Sequence, residues 1–249
     1  MPVYTTASKI IVPTILPNKI SGLQMWLDAD DMSTVNSGGI IADGTTASTI
    51  KCKISGVVFN KLAGGAVTFK VGAAATGRNS ILIVNGVMTG FNVPGLAGAN
   101  RTTFFVFKYV SLSGTAYNFS VRASAIAEGT NANIAITRFG ASGMRYYETN
   151  AGSIAVSWTT GVDTTNIHLI SCRGVLASGL KKLGFDALKN NLTGVTSDIG
   201  ATNSINLGSE TQGLGNSNCH FCEALYFNTV LSDANYNAVR RYLFNKWGV

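Results

Sequence analysis

The sequence predicts an all-β sandwich closed by one short helix at its C-terminus, and three observations lead there. Short β-prone runs recur from Gly22 onward, separated by Gly, Asn, Ser and Thr. The 28 glycines suit the many tight turns such a fold needs, because those turns often require positive φ. Only the last segment carries a helical period, with Tyr236, Val239, Leu243 and Trp247 stepping by three or four.

The elements follow in order. Residues 1–21 read as an extended N-terminal arm holding three of the four prolines, Pro2, Pro13 and Pro17. Proline lacks a backbone donor and favours extended chain. The arm is rich in Ile, Val and Thr, so it is expected to dock along the sandwich or onto a neighbouring subunit. Residues 22–249 form the sandwich domain. Strands are expected at 23–29, 56–60, 67–71, 80–84, 102–110, 117–123, 133–139, 145–149, 154–159, 166–173, 181–185, 204–207 and 219–228. The run Thr-Thr-Phe-Phe-Val-Phe-Lys-Tyr-Val from Thr102 is apolar at successive positions in its middle. That marks a central strand covered on both faces. The helix is expected over 232–247. Ser232 can cap its free N–H groups. Asp233 in the first turn and Lys246 in the last suit the helix dipole, and Gly248 follows as a stop.

Composition narrows the function. The 249 residues are 46% hydrophobic and only 12% charged, against about 25% in an average protein. That excludes disorder and suggests a surface partly covered by partners. The net charge is +7, but the basic residues are scattered. Nucleic-acid binders gather theirs in a stripe, so solubility is the plainer explanation, and no nucleic-acid partner is expected. A basic surface for acidic glycans or capsid neighbours stays open. No apolar run is long enough for a membrane span. The first residues do not lead a charged stretch into an apolar one, so no secretory signal is expected. Four cysteines without one read as free thiols.

Two stretches carry a family resemblance. The first is Ile20-Ser-Gly-Leu-Gln-Met-Trp-Leu-Asp-Ala-Asp-Asp-Met-Ser-Thr34. The second is Glu223-Ala-Leu-Tyr-Phe-Asn-Thr-Val-Leu-Ser-Asp-Ala-Asn-Tyr, continuing to Arg-Tyr-Leu-Phe-Asn-Lys-Trp-Gly248. Together they resemble the concanavalin A-like lectin/glucanase superfamily in its laminin-G-like branch, as found in viral and phage structural proteins. The middle agrees more loosely: Ile54-Ser-Gly56 sits at the family's serine-glycine turn. Where the family has an asparagine-glycine hairpin, this chain has Phe185-Asp-Ala-Leu-Lys-Asn-Asn-Leu-Thr-Gly194. The resemblance implies a jelly-roll of two antiparallel sheets. It implies no ligand, because this fold hosts lectins, hydrolases and structural modules.

Candidate chemistry is sparse. A glycosidase needs two carboxylates about 5–9 Å apart. The family's hydrolases carry a glutamate-x-aspartate-x-x-glutamate strand, and this chain has none. Glu128, Glu148, Glu210 and Glu223 are isolated in sequence. Asp28, Asp30 and Asp31 form an acidic cluster that could hold calcium or could simply pin the loop after the first strand. Cys219 and Cys222 have zinc-like spacing, but residues three apart on a strand point to opposite faces, so buried thiols are expected. His168 lies in an apolar strand without triad partners. Trp26 and Trp247 belong to the end motifs and are assigned to the core. Trp158, with Tyr146 and Tyr147, is the glycan-stacking candidate.

These readings give a non-enzymatic structural or adhesion protein with no resident cofactor. The leading expectation is a virion component, such as a minor capsid, decoration or fibre protein, joined to other particle subunits through the arm. Its localisation would be the virion, after synthesis in the cytoplasm. The alternatives are a glycan-binding lectin-like module and, behind it, a divergent glycoside hydrolase.

Overall fold

The computed structural model describes residues 15–249 except 37, 39–40, 63, 75, 97–99, 113–115, 123–133, 140–142, 150–152, 159–161, 175–179, 194–202 and 209–216. For some strand residues it describes the backbone alone. Sixteen strands and one α-helix stand among the described residues. The strands are β1 (Leu23–Asp28), β2 (Thr49–Lys51), β3 (Val58–Lys61), β4 (Ala66–Lys70), β5 (Ser80–Val84), β6 (Met88–Phe91), β7 (Arg101–Tyr109) and β8 (Ala116–Arg122). They continue as β9 (Ile134–Phe139), β10 (Gly143–Thr149), β11 (Ser153–Trp158), β12 (His168–Gly174), β13 (Leu180–Phe185), β14 (Leu188–Thr193), β15 (Ser204–Leu207) and β16 (Asn218–Phe227). The helix is α1 (Asp233–Trp247).

Two antiparallel sheets result, as the sequence predicts. The first runs β14-β13-β12-β7-β16-β5-β4, and β1 pairs with the C-terminal half of β16. The second runs β11-β10-β9-β8-β15-β6-β3-β2. Alternate residues of each strand face the partner sheet. Phe59, Phe69, Phe105, Phe107, Phe119, Phe221 and Tyr226 form an aromatic-rich core between the sheets. The central strand β7 has Phe105 and Phe107 in that core, while Phe104 and Val106 point the other way into a second cluster. This explains the double-sided apolar run.

The second cluster lies beneath α1. Tyr236, Val239, Leu243 and Trp247 pack there with Trp26, Phe104, Leu169, Leu225 and Phe227. The capping matches the sequence. Ser232 Oγ accepts from the Asn235 N–H at 3.3 Å, and Gly248, at φ 72°, closes the C-terminus by donating its N–H to the Phe244 carbonyl. Of the arm, residues 1–14 lie outside the described residues. Residues Pro17–Lys19 make a 3-10 turn, and Pro17 and Ile20 are buried, Ile20 in the cluster under α1.

Three strands escape sequence reasoning. β2 spans three residues, too short for a periodic signal. β6 contains Gly90, which looks like a turn; a Cβ there would come 2.6 Å from the Phe59 ring, so the glycine makes room for a core aromatic. β14 follows a two-residue turn, with Phe185 paired to Leu188 and Asp186 at φ 48°. A tight hairpin is therefore present here, with Asp186-Ala187 at its turn.

Candidate functional site

The two motif stretches meet at one place. β1 pairs with β16 so that Asp28 stands opposite Glu223 and Trp26 opposite Leu225. A β-bulge at Cys222 turns both Cys222 and Glu223 toward the helix side, since Phe221 and Ala224 face the inter-sheet core. Glu223 is fully buried and fully engaged. Its Oε1 accepts from Trp26 Nε1 at 2.7 Å and from Tyr242 OH at 3.0 Å. Its Oε2 accepts from Trp247 Nε1 at 2.7 Å and meets Lys246 Nζ at 3.0 Å. Burial, with the Asp28 charge nearby, pushes the Glu223 pKa up. Lys246 also reaches Asp28 Oδ1 at 2.6 Å. Two carboxylates thus stand side by side, which sequence spacing did not reveal. Their place beneath α1 leaves no access for a substrate, so they hold the fold together and are not placed for hydrolysis.

The carboxylates of the acidic cluster, one of two readings of which was calcium, are paired with cations. Asp28 Oδ2 lies 3.2 Å from Lys53 Nζ, and Asp31 Oδ2 lies 2.8 Å from the same nitrogen. Asp30 pairs with Arg78 at 2.9 Å and accepts the Asn79 N–H. Asp31 also caps the Met32–Thr34 turn through the Ser33 N–H. Burial works against the Lys53 charge, but Asp31 and Asp28 hold its pKa above the usual lysine value. Burial likewise opposes ionisation of Asp31, and Lys53 and Ser33 together keep its pKa low. Calcium would have to displace Lys53 and split the remaining carboxylates from their partners. Among the described residues no group of three or more His, Cys, Asp or Glu converges as a metal site.

Beside this knot the surface opens. A cleft of about 530 Å³ lies between the Met32–Thr34 turn and the β2–β3 hairpin. Asp31, Ser33, Thr34, Lys51, Lys53, Ser55 and Gly56 line it, with Cys52 at its base and Ile54 at its rim. A second hollow of about 290 Å³ shares Ser33, Lys51 and Gly56 and adds Thr49 and Val58. The hairpin is held by the Cys52 N–H on the Val57 carbonyl and the Gly56 N–H on the Cys52 carbonyl. Gly56 sits at φ 74°, so the serine-glycine turn noted in the sequence is the hairpin tip. Lys53 bends inward over the Trp26 ring at 4.2 Å. Lys51 is exposed and has no ion pair among the described residues. Met32, Ile54 and Val58 are exposed apolar side chains on or next to the cleft. The lining therefore offers hydroxyls, an uncommitted ammonium and apolar surface. Nothing in the sequence singles out Lys51 as part of it.

The other candidates separate. Tyr146 is buried in the inter-sheet core at 1% exposure, so its ring has no face for a sugar; this corrects the sequence expectation. Tyr147 pairs in the backbone ladder with Ala155 and Trp158 with Met144, and their side chains lie outside the described residues. All four cysteines are buried, and none of them is in a disulfide. Cys219 sits between the sheets and Cys222 under the helix, on opposite faces despite the bulge. Burial pushes the Cys219 thiol up to about 11 and raises Cys222 as well. His168 is buried, with Nδ1 donating to Asp186 Oδ2 at 2.9 Å and Nε2 lying 3.3 Å from the Asp163 carbonyl. Burial alone would lower its pKa, but Asp186 and Asp163 raise it. Ser171, on the same strand, bonds Tyr236 OH at 2.6 Å instead, so the pair has no nucleophile.

No family model and no curated protein matches the chain. Solved structures do. The Trypanosoma rangeli sialidase overlays 91% of this chain and 33% of its own at a TM-score of 0.58 and 13% identity. The botulinum neurotoxin type G receptor-binding domain overlays 90% of this chain and 52% of its own at 0.57 and 10% identity. A Ruminococcus gnavus IT-sialidase CBM40 bound to α2,3-sialyllactose covers 57% of this chain at 0.47 and 17% identity. The chain thus spans about a third of that sialidase and half of that toxin domain, and at these identities the likeness shows the β-sandwich fold. Among the described residues no helix is long and apolar enough to cross a membrane.

Proposed function

We propose that this chain is a non-catalytic, glycan-binding β-sandwich module of the concanavalin A-like, laminin-G-like kind. The cleft at the β2–β3 hairpin carries the reading. Sugar recognition needs converging hydroxyls and charged donors beside an apolar patch, and Ser33, Ser55, Lys51, Ile54 and Val58 supply these on one open surface. The overlay with a sialidase and with a toxin receptor-binding domain supports a sandwich used for recognition. The test is a glycan array with the wild type and with Lys51→Ala and Ser33→Ala. Binding by the wild type that both variants weaken supports the reading, and an array without hits ends it.

A second reading, a virion or particle component joined to its neighbours through residues 1–21, draws on one observation. Ile15 and Leu16 are each nearly half exposed just before the buried Pro17, an apolar step pointing at a partner. Removing residues 1–16 would then leave the sandwich folded and abolish co-purification with other particle subunits. Unchanged co-purification would end this reading.

A further inference from the structure

The outer face of the first sheet is only partly covered by α1, and the uncovered part gathers positive charge. His220 alternates with Cys219 and Phe221, which face the inter-sheet core, so its ring stands on the outer face. In the ladder it lies opposite Lys108 of β7 on one side and Leu82 of β5 on the other. Ser80 of β5 bonds His220 Nδ1 at 2.9 Å, and Lys70 of β4 stands opposite Ser80. Directly opposite residues in such ladders come within about 5.5 Å at Cβ, so two ammonium groups and an imidazole share one small area.

The counter-charge is thin. Lys70 meets Asp43 at 3.5 Å, through a carboxylate whose side chain is 57% exposed. Lys108 has no carboxylate partner among the described residues. Glu223, a buried carboxylate that the β16 bulge turns to the outer face, is taken up by Lys246 and the two tryptophans. Burial first, then Lys108 and Lys70, push the His220 pKa down to about 4. The ring is therefore neutral near pH 7, half-buried, with Nε2 uncommitted among the described residues.

We propose that Lys108, His220 and Lys70 form an anion subsite for an oxyanion group, a sulfate or carboxylate borne by an acidic glycan or free in solution. It is separate from the β2–β3 cleft and does not depend on it. An oxyanion placed here pairs with Lys108 and accepts from the imidazole, supplying the negative charge that the fold leaves out. Reciprocity requires that such an ion raise the affinity of His220 for its proton.

The chain has only two histidines, so ring NMR resolves the question directly. Each is titrated from pH 3 to 8 in sodium sulfate, in a heparin oligosaccharide, and in sodium chloride at matched ionic strength. The subsite predicts that sulfate moves the His220 midpoint upward by about half a unit or more relative to chloride. His168, enclosed by Asp163 and Asp186, should not move with the anion. Lys108→Ala should abolish the shift and Lys51→Ala should leave it intact, which separates this site from the cleft. A shift at lower concentration with the oligosaccharide assigns the group to a glycan, and equal potency assigns it to the free ion. Identical His220 titrations in sulfate and chloride, or an equal shift in Lys108→Ala, would overturn the proposal.

Discussion

The two sides of the loop after β1 use charge in opposite ways. On the helix side, Asp28, Glu223 and Lys246 are nearly or wholly enclosed, and each has partners within hydrogen-bond distance. On the hairpin side, Lys51 stands exposed and unpaired among the described residues, with hydroxyls around it. Lys53 marks the boundary, close to Asp31 on one flank and to Trp26 on the other. Charge that the chain itself neutralises fixes architecture, because a buried charge is tolerated only when paired. Charge left without a partner is available to something else.

The largest expected effect comes from breaking the enclosed side. Glu223→Ala strands two indole N–H groups and a tyrosine hydroxyl with no acceptor, and leaves Lys246 with Asp28 as its remaining carboxylate. Loss of one member of a buried ion pair costs about 3–5 kcal/mol, and urea unfolding should show a destabilisation of that order. A loss below about 1 kcal/mol would mean that the knot contributes little.

Next come the two histidines, whose effects have opposite signs. The His168 pKa is raised in the folded chain. Its pairing therefore adds stability that is fully present below the unfolded value of 6.5 and lost as pH rises through the folded value. Asp186→Asn should remove much of that slope on the alkaline side. The His220 pKa is lowered to about 4. The unfolded chain then binds the extra proton between about 4 and 6.5, so stability falls as pH drops through that window. His220→Gln should flatten the acid limb without touching the alkaline one. Unfolding midpoints across pH 4–8 check both variants, and an unchanged acid limb in His220→Gln would contradict the assignment.

Smaller still is Asp30→Asn. Its partner Arg78 is about half exposed, and such pairs contribute roughly 0–1 kcal/mol. Adding calcium or a chelator should leave the midpoint unchanged, since Lys53 and Arg78 already occupy the carboxylates. A calcium-dependent rise would restore the metal reading of Asp28, Asp30 and Asp31.

The contrast also shows what a sequence can disclose. The helix was legible down to its cap because capping, period and stop are local, as Ser232 and Gly248 show. Thirteen strand segments were readable because each is a β-prone run bounded by turn residues; β2, β6 and β14 were not, being short or interrupted by Gly90 and Asn190-Asn191. The knot was half legible. Trp26 and Trp247 were assignable to the core, but the meeting of Asp28 with Glu223 depends on pairing β1 with β16 at a separation of 195 positions and on a bulge at Cys222. The cleft was least legible. A lysine beside a serine-glycine turn has no pattern of its own, and its meaning comes from the Met32–Thr34 turn folded over it. Tyr146 failed for the converse reason: alternation along β10 places it in the core, and aromatic identity alone does not say which face a strand residue takes.

The most direct test of the contrast is the Lys51→Ala variant, measured by titration calorimetry against the wild type's best array ligand and by thermal unfolding. The account predicts an affinity at least about tenfold weaker, or about 1.4 kcal/mol, with an unfolding midpoint unchanged to within about 2 °C. Undiminished affinity, or a midpoint that falls with the binding, would contradict it.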